Sequence, residues 1–227
     1  MELAIIQART TSTRLPGKVL LKVLDIPIII YILERVSKSK NLSKVILATS
    51  NDPTDDQLSS IVEKYGYPVF RGSLTNVLNR FYECAISEKA STVVRITGDC
   101  PLMDPALIDE ILSYYKKSDF EYIGNSLDSY NLTVPDGFDI EVFSTKVLDE
   151  ANKKAILPSE LEHVTPWMRN KNSKINWSHF NHRKRRDFYR VTVDDEKDFK
   201  LVKEIIEDLY PKNNLFSIDD VISFLKN

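Results

Sequence analysis

Residues 3–20 read Leu-Ala-Ile-Ile-Gln-Ala-Arg-Thr-Thr-Ser-Thr-Arg-Leu-Pro-Gly-Lys-Val-Leu. The apolar run Leu3–Ile6 predicts a short buried strand. The loop after it holds Arg9, Thr10, Thr11, Ser12, Thr13, Arg14, Gly17 and Lys18. Three cations and four hydroxyls at the end of one strand suit a polyanion such as a triphosphate. Arg offers planar forks, Lys a point charge, and backbone N–H groups and hydroxyls fill the gaps. The loop is not a Walker A loop, because Gly17-Lys18 is followed by Val19 and Ser12 stands at the first Gly position.

Working outward, strand-length apolar runs alternate with helical patterns. Ile29, Ile32, Leu33 and Val36 recur at helical spacing, and residues 44–49 read as a buried strand. Asp52-Pro53 opens a helix that Gly66 closes. Val69-Phe70 is a short strand, Leu74–Glu88 a helix and Thr92–Thr97 a strand; Asp104-Pro105 caps a further helix. This alternation predicts βαβ crossovers and an α/β fold with a mostly parallel sheet flanked by helices. Ligands of such sheets bind beyond the carboxyl ends of the strands, where the basic loop and Asp99 both fall.

The pattern loosens after about residue 119. Residues 121–123, 138–143 and 189–193 read as strands. Ser159–Arg169 reads as a helix with a Ser159/Glu162 capping box, and Asp195 with Asp198, then Ser217 with Asp220, start the last two helices. No linker or repeat interrupts the 227 residues, which read as one domain with a less regular lobe near 125–185.

Composition excludes several classes. Hydrophobic residues make up 42% and the net charge is −2, so no basic field marks a nucleic-acid binder. The basic run 182–186 reads first as a solvated hairpin tip or loop. Only Cys84 and Cys100 occur, too few for a disulfide framework. The start lacks the pattern of a signal peptide, and no stretch approaches the roughly 18 apolar residues of a spanning helix. A soluble cytoplasmic protein that binds neither nucleic acid nor membrane is expected.

Two strand ends carry carboxylates. Thr97-Gly98-Asp99-Cys100-Pro101 presents Asp99 on a tight turn, and Val191-Thr192-Val193-Asp194 offers a second. Mg²⁺ takes one or two carboxylates, with phosphate oxygens and waters completing an octahedron, so this pair facing a triphosphate loop suits it. Asp195 reads instead as a helix N-cap. Thr49 and Ser50, ending the second strand, are placed to read a pyrimidine edge, and Arg71 and Gly72 to reach a base or ribose.

The order Ala-Arg-x-x-Ser-Thr-Arg-Leu-Pro-Gly-Lys over Ala8–Lys18 closely resembles the opening signature of the sugar cytidylyltransferases. These include the synthetases of CMP-activated 3-deoxy-manno-octulosonate and acylneuraminate, and the nearest branch resembles the spore-coat polysaccharide biosynthesis protein F. The resemblance extends through Arg71-Gly72, Asn76 and Arg80, Gly98-Asp99, residues 135–141 and Glu162-His163-Val164-Thr165. Asn76 and Arg80 read equally well as helix-surface residues.

The resemblance implies the three-layer, Rossmann-like fold of nucleotide-diphospho-sugar transferases. It implies Ala8, Arg9, Thr10, Ser12, Thr13, Arg14, Lys18, Asn76, Thr97 and Gly98 as nucleotide-binding residues. Asp99 and Asp194 become Mg²⁺ ligands, and Asp139, Glu141 and His163 acceptor-binding residues. It also points to a homodimer. Cys100 stands where the octulosonate synthetases carry an acidic residue.

The implied reaction moves CMP from CTP to an acidic or phosphorylated sugar and releases pyrophosphate. Arg14, Lys18 and Asp99 are its expected catalytic residues, because phosphoryl chemistry rests on charge neutralisation and alignment. A nucleotidyltransferase using GTP usually carries a Gly-rich first loop. A glycosyltransferase typically carries an Asp-x-Asp motif, absent at Gly98-Asp99-Cys100. A silent nucleotide-binding module has no need of all four charged residues.

Overall fold

The computed structural model describes residues 1–127, 132–182 and 189–226. Its sheet is built from β1 (Glu2–Gln7), β4 (Lys44–Ser50), β5 (Val69–Gly72), β6 (Thr92–Thr97), β7 (Tyr122–Gly124), β8 (Glu141–Ser144) and β9 (Trp177–His179). The order is β5-β4-β1-β6-β8-β7-β9. Strands β1, β4, β5 and β6 pair in parallel, as do β7 and β9, while β8 runs antiparallel to both neighbours. A small hairpin, β2 (Lys22–Val23) and β3 (Ile26–Pro27), follows the basic loop.

Side-chain alternation divides the core into two layers. Ala4 and Ile6 of β1, Val94 and Ile96 of β6 and Val142 of β8 face one cluster. That cluster also takes the apolar faces of α1 (Ile28–Val36), α2 (Asp56–Lys64), α4 (Pro105–Lys117), α7 (Glu196–Leu209) and α8 (Ile218–Leu225). Leu3, Ile5, Val93 and Phe143 face the other, against α3 (Val77–Ser87), α5 (Thr145–Lys154) and the stretch Val164–Met168. Helix, sheet, helix is the expected three-layer arrangement.

Several boundaries differ from the sequence reading, each for a local reason. Helix α3 starts at Val77, because the Asn76 side chain accepts from the Asn79 N–H at 2.9 Å and caps it. Strand β8 starts at Glu141 rather than Phe138. Upstream, Asn125 substitutes for a ladder partner, accepting from Ile140 N–H and donating to Phe138 O. The helix expected over 159–169 is broken in two. Helix α6 (Pro158–His163) is capped by Glu160, which accepts from the N–H groups of Ile156 and Leu157. Val164 then adopts φ 70°, and a 3-10 helix covers Pro166–Arg169. Ser159 and Glu162 therefore form no capping box.

The strand expected over 189–193 is an extended crossing segment with a single bridge, Asp136 to Arg190. Its N–H groups go to Asp136 O (from Val191, 2.7 Å) and Asp99 O (from Val193, 2.8 Å). It thus runs across the strand ends and brings Asp194 beside Asp99. Gly137, at φ 110°, permits this crossing: a Cβ there would meet Thr192 N at 2.7 Å. Stretch 125–185, read as a looser lobe, contributes β8 and β9 to the main sheet. Arg183–Arg186 of the basic run lie outside the described residues.

Candidate active site

The carboxyl ends of β1 and β6 form the floor of the site. They approach so closely that a Cβ on Gly98 would meet Ala8 Cβ at 2.7 Å and Gln7 O at 3.0 Å. Only glycine turns the chain there and leaves Asp99 pointing up.

The basic loop is fixed from behind by Asp55, in the short 3-10 turn Pro53–Asp55 that precedes α2. This fully buried carboxylate accepts from Thr10 N–H at 2.7 Å and Thr10 Oγ1 at 2.8 Å. It also accepts from Ser50 N–H and Ser50 Oγ. Burial pushes the Asp55 carboxyl up, but the hydrogen bonds from Ser50 and Thr10 outweigh it and hold the group below its ordinary range. Replacing Asp55 with Ala strands these donors in the interior. A loss of about 2–4 kcal/mol in urea unfolding is expected; a loss under about 1 kcal/mol would discard the anchoring role.

Lys18 lies at the centre. Its Nζ donates to Val193 O at 2.7 Å, Asp194 Oδ1 at 3.1 Å and Asp99 Oδ2 at 3.2 Å. Arg14, largely exposed, reaches the same Asp194 Oδ1 at 2.9 Å. Arg190 pairs with Asp194 Oδ2 at 2.6 Å and with Asp136 at 2.9 Å, so Asp194 is held from two sides. Burial raises the Asp99 carboxyl, yet the Lys18 ammonium and the hydrogen bond from Thr97 bring it below the usual carboxylate range.

Asp99 and Asp194 thus converge on a single cationic centre. Two converging hard-oxygen donors fit a divalent ion that fills its remaining positions from water and phosphate. Among the described residues no cluster of three or more His, Cys, Asp or Glu forms a closed metal cage.

Above this floor lies a cavity of about 310 Å³. Ala8, Arg9, Ser12, Thr13, Arg14, Lys18, Thr97, Gly98, Asp99 and Asp194 line it, as the sequence leads one to expect. A second cavity of about 270 Å³ adjoins it, sharing Arg95, Thr97 and His163 and adding Asp139, Glu141, Ser126, Thr165 and Arg169. Asp139, Glu141 and His163 therefore do come together.

Six expected nucleotide-binding residues stand outside the cavity lining: Thr10, Thr49, Ser50, Arg71, Gly72 and Asn76. Thr10 and Ser50 are spent on Asp55, Thr49 is fully buried, and Asn76 caps α3. Arg71 straps the end of β4, donating to Ser50 O and Asp52 O and pairing with Asp56 at 2.7 Å. Gly72 makes room for Arg80, whose Cγ would lie 2.9 Å from an added Cβ.

Arg80 itself lines the first cavity while 1% exposed; its Nε has no partner, and burial lowers its pKa to about 10. Only the resemblance singled it out, because one arginine on a helix resembles any surface cation. Glu141 accepts from Arg95, Tyr122 and, at 2.8 Å, from Thr165 Oγ1. It braces the wall of the second cavity.

A family model for cytidylyltransferases matches residues 3–222. The spore coat polysaccharide biosynthesis protein SpsF of Bacillus subtilis is 34% identical over 214 residues, 90% of this chain and 86% of that protein. The solved structure of a cytidylyltransferase from Leptospira borgpetersenii superposes with a TM-score of 0.91 at 32% identity, covering 99% of this chain and 93% of that one. A CMP:2-keto-3-deoxy-manno-octonic acid synthetase complexed with CTP shares the fold, with a TM-score of 0.70 at 17% identity over 92% of this chain and 99% of that one.

The fold is that of a nucleotidyltransferase. The chain belongs to the cytidylyltransferase family. No helix among the described residues is long and apolar enough to cross a membrane.

Proposed function

We propose that this protein transfers CMP from CTP to an oxygen of an acidic or phosphorylated sugar. One observation carries this reading: Lys18 Nζ lies between Asp99, just past β6, and Asp194, on the floor of a cavity walled by Arg9 and Arg14. The acceptor oxygen bonds to the α-phosphorus while the bond from that phosphorus to the bridging oxygen breaks. Pyrophosphate leaves with the electron pair. Lys18 and Arg14 neutralise the departing β- and γ-phosphates, and backbone N–H groups of the loop fix their direction.

Arg9, paired with Glu162 at 3.1 Å, acts near the α-phosphate or secures α6 over the cavity. Asp99 and Asp194 are the residues that would hold Mg²⁺, which when bound supplies charge neutralisation to the triphosphate. The adjoining cavity, with Asp139 and His163, takes the acceptor. The family, and the polysaccharide role printed in the name of the SpsF relative, support a place in surface-glycan synthesis. The family resemblance likewise supports a single catalytic domain acting as a homodimer in the cytoplasm, where CTP is held.

Thermal unfolding with CTP, UTP, GTP, ATP and dTTP, each with and without Mg²⁺, tests the nucleotide half. A ligand bound only by the folded state raises the midpoint by mass action, by about 2.7 kcal/mol of stability at a hundredfold excess over Kd. The largest rise is expected for CTP with Mg²⁺. A larger rise with GTP would retain the fold and discard the cytidylyl reading.

A further inference from the structure

We infer that Arg169 binds the anionic group of the acceptor and so decides which sugars are used. The inference rests on the reading above, in which the second cavity holds the acceptor. That cavity has two guanidinium groups in its wall, and they differ in what they touch. Arg95 is committed to Glu141 and, at 3.1 Å, to Gln7 Oε1. Glu141 in turn accepts from Arg95, Tyr122 and Thr165, and makes no ion pair with Arg169. Arg169 makes no hydrogen bond or ion pair with any described residue, and its Nε is buried without a partner.

A guanidinium partly withdrawn from water and without a partner among the described residues is costly, and the natural remedy is an oxyanion delivered by a ligand. Arg presents a planar fork that matches a carboxylate or a phosphate with two parallel hydrogen bonds. Ser126 and Thr165 add hydroxyls in the same wall.

The backbone beneath Arg169 is rigid, which suits a selecting residue. It ends the 3-10 helix Pro166–Arg169, whose Met168 is fully buried and whose Trp167 is 8% exposed. Thr165, just upstream, is tied to Glu141 of β8. The backbone that carries the fork is therefore set before the acceptor arrives, and only the side chain is left to order on binding. With Arg95 and Glu141 offsetting one another, Arg169 and Asp139 are the remaining Arg and Asp side chains of the wall, and nothing pairs them with each other.

The test uses three probes on the CTP-saturated full-length protein: inorganic phosphate, glucuronate and neutral glucose. Saturating CTP keeps phosphate out of the first cavity. Thermal unfolding is followed for the unaltered protein and for Arg169→Gln and Arg169→Lys. The expected result is concentration-dependent stabilisation by at least one anionic probe and none by glucose. Arg169→Gln should weaken that response at least tenfold, and Arg169→Lys should restore part of it. Phosphate alone responding would identify a sugar phosphate as acceptor; glucuronate alone, an acidic sugar.

An Arg169→Gln protein with an unweakened anion response would overturn the inference, as would an unaltered protein indifferent to both anions. The CTP response of each variant is read separately. Its loss in the unaltered protein sinks the nucleotide reading, whereas its retention in Arg169→Gln shows that the fold and first cavity are intact.

Discussion

Lys18→Met is expected to lower CMP transfer by two to three orders of magnitude while the protein still folds. The magnitude follows from what a single preorganised charge contact contributes to a transition state in a partly dry site. Folding should survive because Asp194 keeps Arg14 and Arg190 as partners. A second consequence separates this role from a merely structural one. In the ligand-free protein the Lys18 ammonium already sits where Asp99 and Asp194 converge. A divalent ion must compete with that tethered cation for the same oxygens.

Removing the ammonium should therefore tighten the binding of Mg²⁺ or Mn²⁺ to the nucleotide-free protein, even as turnover falls. Titrating the divalent ion against the unfolding midpoint reads the first effect, and pyrophosphate release the second. Asp99→Asn should lose both the ion response and turnover. A Lys18→Met protein with undiminished transfer would remove Lys18 from the catalytic set. Unchanged ion affinity would mean that the aspartates and the metal meet elsewhere.

The same geometry explains why some of the site was legible in the sequence and some was not. The loop from Ala8 to Lys18 announces itself, because clustered cations and hydroxyls directly after a buried strand have few structural uses. Asp99 is legible because a Gly-Asp turn at a strand end has only one edge of the sheet to face. Asp194 was harder. It owes its place to the segment 190–193 crossing the strand ends, a tertiary arrangement fixed by backbone bonds to Asp136 and Asp99. Its local pattern mimics a strand, and the reading of 189–193 as one failed on that account.

Thr10 and Asn76 are expected as nucleotide contacts from the resemblance, and Ser50 and Arg71 from their places at strand ends. Polar residues there serve equally to fix the backbone: Thr10 and Ser50 anchor the loop through Asp55, Arg71 straps the end of β4, and Asn76 caps α3. Asp55, which anchors Thr10 and Ser50, resembles in the sequence any acid at the start of a helix. Arg169 was read as the end of a continuous helix. The left-handed backbone at Val164 redirects the chain and turns it into the cavity. Periodicity cannot register one such residue.

Asp139→Asn is expected to stabilise the protein at pH 8 while impairing the transfer reaction. Asp139 lines the second cavity, proposed above for the acceptor, where burial, then the neighbouring carboxylates of Asp136, Glu141 and Asp99, raise its carboxyl to about 7; Arg95 opposes them. His163 and Arg169 face the same cavity. Because the folded form holds the proton more tightly than the unfolded chain, this group's ionisation costs stability as pH rises from about 4 to 7. The cost is absent below that window and complete above it. A carboxyl titrating near 7 rather than 3.8 costs up to about 4 kcal/mol once ionised.

Asn keeps the shape and never ionises, so its gain should appear at pH 8, as a rise of several degrees in the midpoint, and vanish at pH 4. A group held near neutrality beside the acceptor is also suited to take the proton from an attacking hydroxyl, a role that contributes about 10² to 10⁴ in rate. The unaltered protein should then show transfer rising through an acid limb near pH 7, and Asp139→Asn should be slow and flat across it. Stabilisation at pH 8 without loss of rate would leave Asp139 as a buried acid with no part in proton transfer. Equal midpoints for the two proteins at pH 8 would mean that its carboxyl titrates in the ordinary range.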